Sequence, residues 1–381
     1  MTQKVAIIGS GPAGCMTACN LDKSFDITLF DKSKPLKTLL PTGGGRCNLA
    51  HAEFNFKELA KNYPRGEKFL YSVFSRFGTQ ETLDFFEKIG IKTYTQENGR
   101  IFPISNSAQE VRNAMLSKIH HCKFKEEEIL LIKKLETGFE VKSNKASYYF
   151  DIVVVAIGGK SSYKMLSALG HTIIEPKPAL VGLVTKPSFK ELQGISLQNV
   201  LVKSEKTQIE GDILFTNNGI TGPAIFELSS INARKELPYE ITIDFLNKEV
   251  DWQNEFDKNP HKELKNIISE FMPKAFINVI LKDIDLALKG YEIKSNTKGL
   301  INNTIRNYKI LVKNTRKNGE TVTSGGVSLK EVDSKTLQSK KIEDLYVCGE
   351  VLDVDGFCGG YNLQNCWSTG YITALAINSN V

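Results

Sequence analysis

Apolar and polar positions along the chain follow two different regimes. Near the N-terminus, Val5 to Ile8 is an unbroken apolar run, followed by three glycines and the Ala/Cys/Met stretch of PAGCMTACNL. That pattern predicts a buried strand, a tight turn and a helix. ITLFDK is a second short strand ending in an acid. From Glu67 to Ile89 apolar residues recur at helical spacing (Phe69, Leu70, Val73, Phe74, Phe77, Leu83, Phe85, Phe86), which predicts helix with these aromatics in a core. SAQEVRNAMLSKI predicts another helix, with Ser107 as its cap and Glu110 three residues later. The text from Glu127 to Gly159 reads as strands. Its last run, Ile152 to Ala156, is apolar enough for a central parallel strand and ends in the glycine pair Gly158-Gly159.

The regime changes after Lys177-Pro178 and Lys186-Pro187. LQGISLQNVLVKS, IEGDILFTNNGITGPAIFELS and YEITIDFL alternate as antiparallel strands do. NPHKELKNIISEFMPKAFINVILKDI reads as helix interrupted at Pro273. Strand character is expected to return only after Thr321, in LYVCGEVLD, and the chain closes on a glycine pair and a mostly apolar helix. The expected organisation is an α/β domain built from residues 1–180 and 321–381. An inserted β-rich domain, 181–320, carries a helical lobe around 255–300.

The glycines at the N-terminus carry chemistry. Gly9 permits a tight turn, Gly11 lets backbone approach a phosphate, and Gly14 lets the helix pack on the strand. Asp31 lies twenty residues beyond Gly11, where a carboxylate can accept both hydroxyls of an adenosine ribose. A bound dinucleotide follows, and this stretch leaves NAD and FAD both open. Gly43, Gly44 and Gly45, followed by Arg46, Cys47 and Asn48, form a second loop suited to close approach of backbone to a ligand. No second GxGxxG occurs, so a pyridine nucleotide would dock without a Rossmann domain of its own.

Composition narrows the setting. The 41% hydrophobic and 24% charged fractions suit a soluble globular protein, and no segment has the apolar length to span a bilayer. Seven scattered cysteines without a CxxC pair, and no secretory leader, point to a reduced, cytoplasmic location and argue against a redox disulfide beside a flavin. Five histidines show no metal-ligand spacing, so no metal site is expected. The net charge is +6. Ile301 to Gly319 holds Arg306, Lys309, Lys313, Arg316 and Lys317 and no acid. Such a stretch can face phosphates or be a solvated surface.

TGGGRCNLA, GRIFPIS, VAIGGKS, FTNNGITGPA, VTSGGVSLKEVDSKTLQSKKIEDLYVCGEVLDVDG and GGYNLQNCWSTG occur in this order. With them the chain resembles the bacterial HI0933-like, or BaiN-like, flavoproteins over essentially its whole length. The resemblance implies a Rossmann-like FAD-binding domain interrupted by a β-barrel-like domain and a small helical domain, in an NAD(P)/FAD-dependent oxidoreductase. It implies that Gly9, Gly11 and Gly14 face the pyrophosphate and that Asp31 holds the ribose. Gly43, Gly44, Gly45, Arg46 and Asn48 would lie beside the flavin, and Gly349, Glu350 and Asp355 near the ribityl and phosphate portion. Gly359, Gly360, Tyr361, Asn362 and Gln364 would lie near the flavin ring. Arg46, Tyr361 and Asn362 are the candidates for contact with the reacting groups. Two departures stand out: AIGGKSSYKMLSALGH is short, and Cys358 stands where relatives often have threonine. Cys358 is expected to be a small packed side chain.

The expected activity is reduction of an unsaturated acceptor at the flavin, with NAD(P)H as donor. The alternatives are dihydrouridine formation in 23S ribosomal RNA, oxidation of a small amine by oxygen, and a non-enzymatic flavin-binding interaction module. The expected partner is a small molecule or RNA, without a membrane. The oligomeric state is not encoded in these patterns.

Overall fold

The computed structural model describes residues 2–316 and 322–379. The chain divides into two compact units, Met1–Lys177 with Val322–Val381, and Pro178–Thr321. The second expected domain boundary, at 320–321, lies outside the described residues.

The larger unit is built on a five-stranded sheet in the order Leu345–Val347, Ile152–Val155, Lys4–Ile8, Asp26–Asp31, Lys123–Glu126. All four pairings are parallel. Val5 to Ile8 and Ile152 to Val155 are buried throughout, which is why both read as continuous apolar runs. Two helices pack together on this sheet, Pro12–Asn20 and Tyr361–Asn378. Gly370 allows their close approach, since a Cβ there would lie 2.5 Å from Ala13 O. Thr17 Oγ1 donates to Gly370 O at 3.0 Å across the same contact. The chain's end thus returns to its beginning. Smaller antiparallel sheets complete the unit: Ile129–Lys134 with Phe139–Ser143 and Ser147–Phe150, and Ala50–His51 with Arg100–Pro103 and Thr93–Thr95.

Within the periodic stretch 67–89 the structure has two helices, Glu67–Phe74 and Thr79–Lys88. Apolar spacing does not register the break. Gly78 is extended there and opens the second helix, its N–H donating to Glu81 Oε2 at 2.8 Å. The Ala108–Lys118 helix begins at Ser107, whose side chain accepts from Glu110 N–H.

The smaller unit is a closed six-stranded barrel. Its strands run around the barrel as Leu183–Lys186, Gly219–Thr221, Thr207–Thr216, Ser196–Ser204, Tyr239–Asp244 and Tyr308–Thr315, and the last pairs back to the first. Ile213, Phe215, Ile241, Ile243, Ile310 and Val312 fill it. Helices Trp252–Lys258, Leu264–Ile268, Lys274–Ile280 and Ser295–Arg306 cover it, with Phe245 and Phe276 meeting edge to face at 4.7 Å. One expectation fails here: strand character returns at Tyr308, not after Thr321. YKILVKNT alternates, and Ile310 and Val312 are its inward positions. The lysines that made the stretch look like a charged segment are the outward positions of a barrel strand. The architecture is therefore a Rossmann-like fold with an inserted closed barrel and helical elements.

Candidate cofactor and active site

At the carboxyl ends of the parallel strands the glycine loop is tightly constrained. Gly9 has φ of +100°, and a Cβ there would lie 2.3 Å from Ala156 O. A Cβ on Gly14 would lie 2.0 Å from Gly9 O. Gly11 is different: it caps the Pro12–Asn20 helix with no side-chain cap, and only Thr38 Oγ1, at 3.7 Å, would meet a Cβ there. Pro12, at the first helical position, has no N–H to leave unpaired. The helix thus presents its first turn without a side-chain acceptor, as an anion site requires. Asp31 ends the neighbouring strand. Its Oδ2 accepts from Ser10 N and Oγ at 2.8 and 2.9 Å, and its Oδ1 accepts from Ser33 N and Oγ at 2.9 and 3.1 Å.

On the next strand ends, Glu350 Oε1 accepts from Thr323 N at 2.9 Å. A Cβ on Gly159 would lie 2.6 Å from Thr323 Oγ1 and 2.9 Å from Glu350 Oε1. Gly349 packs on the first turn of the Pro12–Asn20 helix, where a Cβ would lie 2.6 Å from Ala13 Cβ. Burial pushes the Cys366 thiol beside them well up, while the N–H groups of Glu350 and Ala13 act in the opposite sense. The structure therefore brings Gly9, Gly11, Gly14, Asp31, Gly349 and Glu350 to the carboxyl ends of the parallel strands.

A second group forms around Gly43–Asn48. Gly43, Gly44 and Gly45 all have positive φ. Arg46 Nε donates to Gly43 O at 3.2 Å, and its guanidinium lies 4.3 Å from the centroid of the Phe102 ring. Asn48, in the amide orientation that satisfies its neighbours, donates to Ala50 O at 3.0 Å and accepts from Gly360 N at 3.1 Å. That ties the loop to the cap of the final helix. Gly360 is left-handed, φ +101°, and a Cβ there would lie 2.4 Å from Ala50 O. The final helix also lacks a side-chain cap and has no acid in its first turn.

The remaining expected residues make contacts within the protein. Asn362 closes its own loop, accepting from Gly356 N at 2.9 Å and donating to Gly356 O at 2.8 Å. Tyr361 is buried, with its ring on His51 at 4.8 Å and its carbonyl accepting from Tyr63 OH at 2.6 Å. Gln364 is buried and donates to Gly78 O, Thr82 Oγ1 and Ser368 Oγ. Asp355 is buried and ion-paired with Arg65 through both carboxylate oxygens. These contacts hold the loop before the final helix in place.

Sequence reading passed over two side chains in this group, His51 and Arg100. Arg100 lies in GRIFPIS, read only as a turn and an extended piece, yet Arg100 and Phe102 alternate onto one face of that strand. His51 pairs with Arg100 across the adjacent strand. The expectation of a packed Cys358 is overturned: it is exposed, with its sulfur 3.9 Å from Arg100 Nη2. The basic stretch is partly neutralised, since Arg306 pairs with Asp244 at 3.0 Å and Lys309 with Glu240 at 3.0 Å. Lys317 lies outside the described residues.

The residues fit an FAD. One uncapped helix N-terminus stands beside a ribose-type carboxylate, and a second stands beside a glycine loop that is open at Gly44, where no atom lies within 4 Å of an added Cβ. When bound, the flavin supplies the two-electron transfer chemistry. Together the fold and site define a dinucleotide-binding flavoprotein. The family model for the HI0933-like protein Rossmann domain matches residues 3–376, and the chain belongs to that family. It is an FAD-dependent oxidoreductase. It is 28% identical over 391 residues to ribosomal RNA dihydrouridine synthase of Escherichia coli (strain K12), covering 97% of this chain and 96% of that protein. It is 28% identical over 409 residues to 3-dehydro-bile acid delta(4,6)-reductase of Clostridium scindens, covering 98% of each. Among solved structures, the apo Mycobacterium smegmatis Sdh1 complex shares the fold, with a TM-score of 0.51 and 13% identity over 99% of this chain and 68% of that one. No described helix is long and apolar enough to cross a membrane.

Proposed function

We propose that the protein reduces a carbon–carbon double bond conjugated to a carbonyl, with NAD(P)H as the electron donor. One observation carries the reading: Asn48 locks the glycine loop to the uncapped N-terminus of the final helix, with no acid in its first turn. A positive dipole end at that point favours negative charge on a reduced ring. The relatives support the choice of acceptor. Dihydrouridine synthesis saturates a double bond conjugated to a uracil carbonyl, and the bile-acid reductase is also named for a reduction. In this reading Gly11 and the first turn behind it bind pyrophosphate, Asp31 orients the ribose, and Arg46 contacts the flavin or the acceptor. Gly43, Gly44, Gly45, Gly349, Glu350, Gly359 and Gly360 shape the cofactor's path. Asn48, Asp355, Asn362 and Gln364 hold those segments, and Tyr361 fixes the His51 ring.

Ribosomal RNA is the second reading for the acceptor. Lys313 and Arg316 are exposed and form no ion pair with a described residue, which leaves two positive groups on the barrel for phosphates. Product analysis tests both readings. FAD-loaded protein is incubated with NADH or NADPH and either a conjugated enone or unmodified 23S ribosomal RNA. The proposal expects one acceptor to gain two hydrogens by mass spectrometry. No gain on either, with NAD(P)H unconsumed, overturns it.

A further inference from the structure

We propose that one face of the small sheet in the larger unit is a docking strip for an oxyanion carried by the acceptor, with Arg100 as its main contact. The inference rests on the reductase reading and names the chemical class of its substrate.

The strip follows from strand register. His51 pairs with Arg100, and Tyr94 pairs with Phe102. Arg100 and Phe102 are two apart on one strand and so share a face. Directly opposed residues of antiparallel strands also share a face. His51, Arg100, Phe102 and Tyr94 therefore form one row. Arg46 joins it from the glycine loop by lying over Phe102 at 4.3 Å. Tyr94 stacks on the other partner of that contact, its ring 6.2 Å from Phe102.

Two half-buried guanidinium groups thus belong to this row, with Phe102 fully buried beneath Arg46, and neither forms an ion pair with a described residue. The contrast within the chain is informative. Arg65 and Arg306 are also half-buried or more, and each has a buried aspartate as partner. Among the described residues the Arg100 guanidinium meets a thiol sulfur at 3.9 Å, a weak acceptor. A partly desolvated guanidinium without a counter-charge is costly unless an anion completes it, and its planar fork matches a carboxylate or phosphate.

His51 is held ready at the end of the row. Its Nδ1 lies 3.2 Å from Gly359 O, a pure acceptor, so Nδ1 carries the hydrogen. Gly99, φ +78°, leaves room for the other nitrogen, since a Cβ there would lie 2.5 Å from Nε2. The two planar guanidinium groups suit an acid carried by the acceptor.

Binding to the FAD-loaded protein, read by perturbation of the flavin spectrum and by calorimetry, tests this without turnover. The probes are hydrocinnamate and its methyl ester, then nicotinamide mononucleotide and nicotinamide riboside. Each pair differs only in its oxyanion. Wild-type protein should bind hydrocinnamate about tenfold or more tightly than the ester. Arg100→Gln should abolish that preference while FAD stoichiometry stays unchanged, and Arg100→Lys should restore part of it. Equal binding of acid and ester overturns the strip, as does an equal loss for both in Arg100→Gln. A preference confined to the mononucleotide pair overturns the acceptor assignment and gives the strip to the electron donor. Hydrocinnamate has no double bond to reduce. A retained preference in a protein that reduces no enone would therefore fault the reductase reading and leave the strip standing.

Discussion

Ser10 donates both its backbone N–H and its hydroxyl to one oxygen of Asp31, at 2.8 and 2.9 Å. The residue between two loop glycines thus orients the acid expected to hold the ribose. Asp31→Ala should weaken FAD binding by about tenfold or more, through loss of charge-assisted hydrogen bonds. Ser10→Ala keeps the N–H contact and should cost less. Equilibrium dialysis with flavin fluorescence ranks the two. Equal retention of FAD by wild type and Asp31→Ala would remove Asp31 from the site.

Gly9 and Gly44 separate steric need from conformational preference. Gly9→Ala places a methyl 2.3 Å from a carbonyl of the adjacent strand at φ +100° and should cost about 3 kcal/mol or more. Gly44→Ala has positive φ but open space around it and should cost about 1 kcal/mol. Urea unfolding of both variants checks the order, and a Gly44→Ala protein less stable than Gly9→Ala would refute it.

The Arg65–Asp355 pair is buried on the aspartate side. Arg65→Ala should destabilise the fold by about 3–5 kcal/mol, because it removes the ion-pair partner of a buried carboxylate. Asp355→Asn in the same background should recover part of the loss, since a neutral amide is cheaper to bury. Thermal unfolding of the single and double variants measures the recovery. A single variant as stable as wild type would show that the carboxylate reaches water or another partner.

Acid should weaken the larger unit in two steps. Burial pushes the His171 imidazole below its ordinary 6.5, so the unfolded chain takes the proton first and stability begins to fall below about that pH. Burial alone would raise the Glu331 carboxyl. Contacts from Lys341 and from Thr172 N–H and hydroxyl outweigh it and bring it to about 2. Its folded value lies below its unfolded 4.5, so its contribution is complete above that value and is lost as pH falls towards 2. Urea midpoints against pH should show both declines, and Glu331→Gln should remove the lower one. A lower decline that survives in Glu331→Gln would assign it to other carboxylates.

Much of the parallel sheet and the glycine loop was legible because each depends on local pattern. Val5–Ile8 and Ile152–Val155 are buried on both faces, and Gly9 and Gly14 have no room for a side chain. The barrel's last strand was hidden by its outward lysines, which mask a period of two in YKILVKNT. The 67–89 helix break was hidden because Phe77 is buried in the turn as well as being in phase with the helix. Arg100 and His51 were missed for another reason. Their pairing is long-range, and only strand register places them together. Asp355 and Gln364 could be read as polar residues near a ligand, but their partners, Arg65 and Thr82, lie nearly three hundred residues away in sequence.

The central claim is that electrons leave this protein's FAD for a conjugated double bond. Rapid mixing under anaerobic conditions tests it most directly. FAD-loaded protein is reduced with NADPH or NADH, then mixed with a conjugated enone, with 23S ribosomal RNA, or with oxygenated buffer, and the return of flavin absorbance is followed. The account predicts that NAD(P)H reduces the flavin and that an enone or the RNA reoxidises it faster than oxygen does, with a saturated product. Flavin that NAD(P)H cannot reduce, but that a small amine reduces and only oxygen reoxidises, would contradict it and define an oxidase.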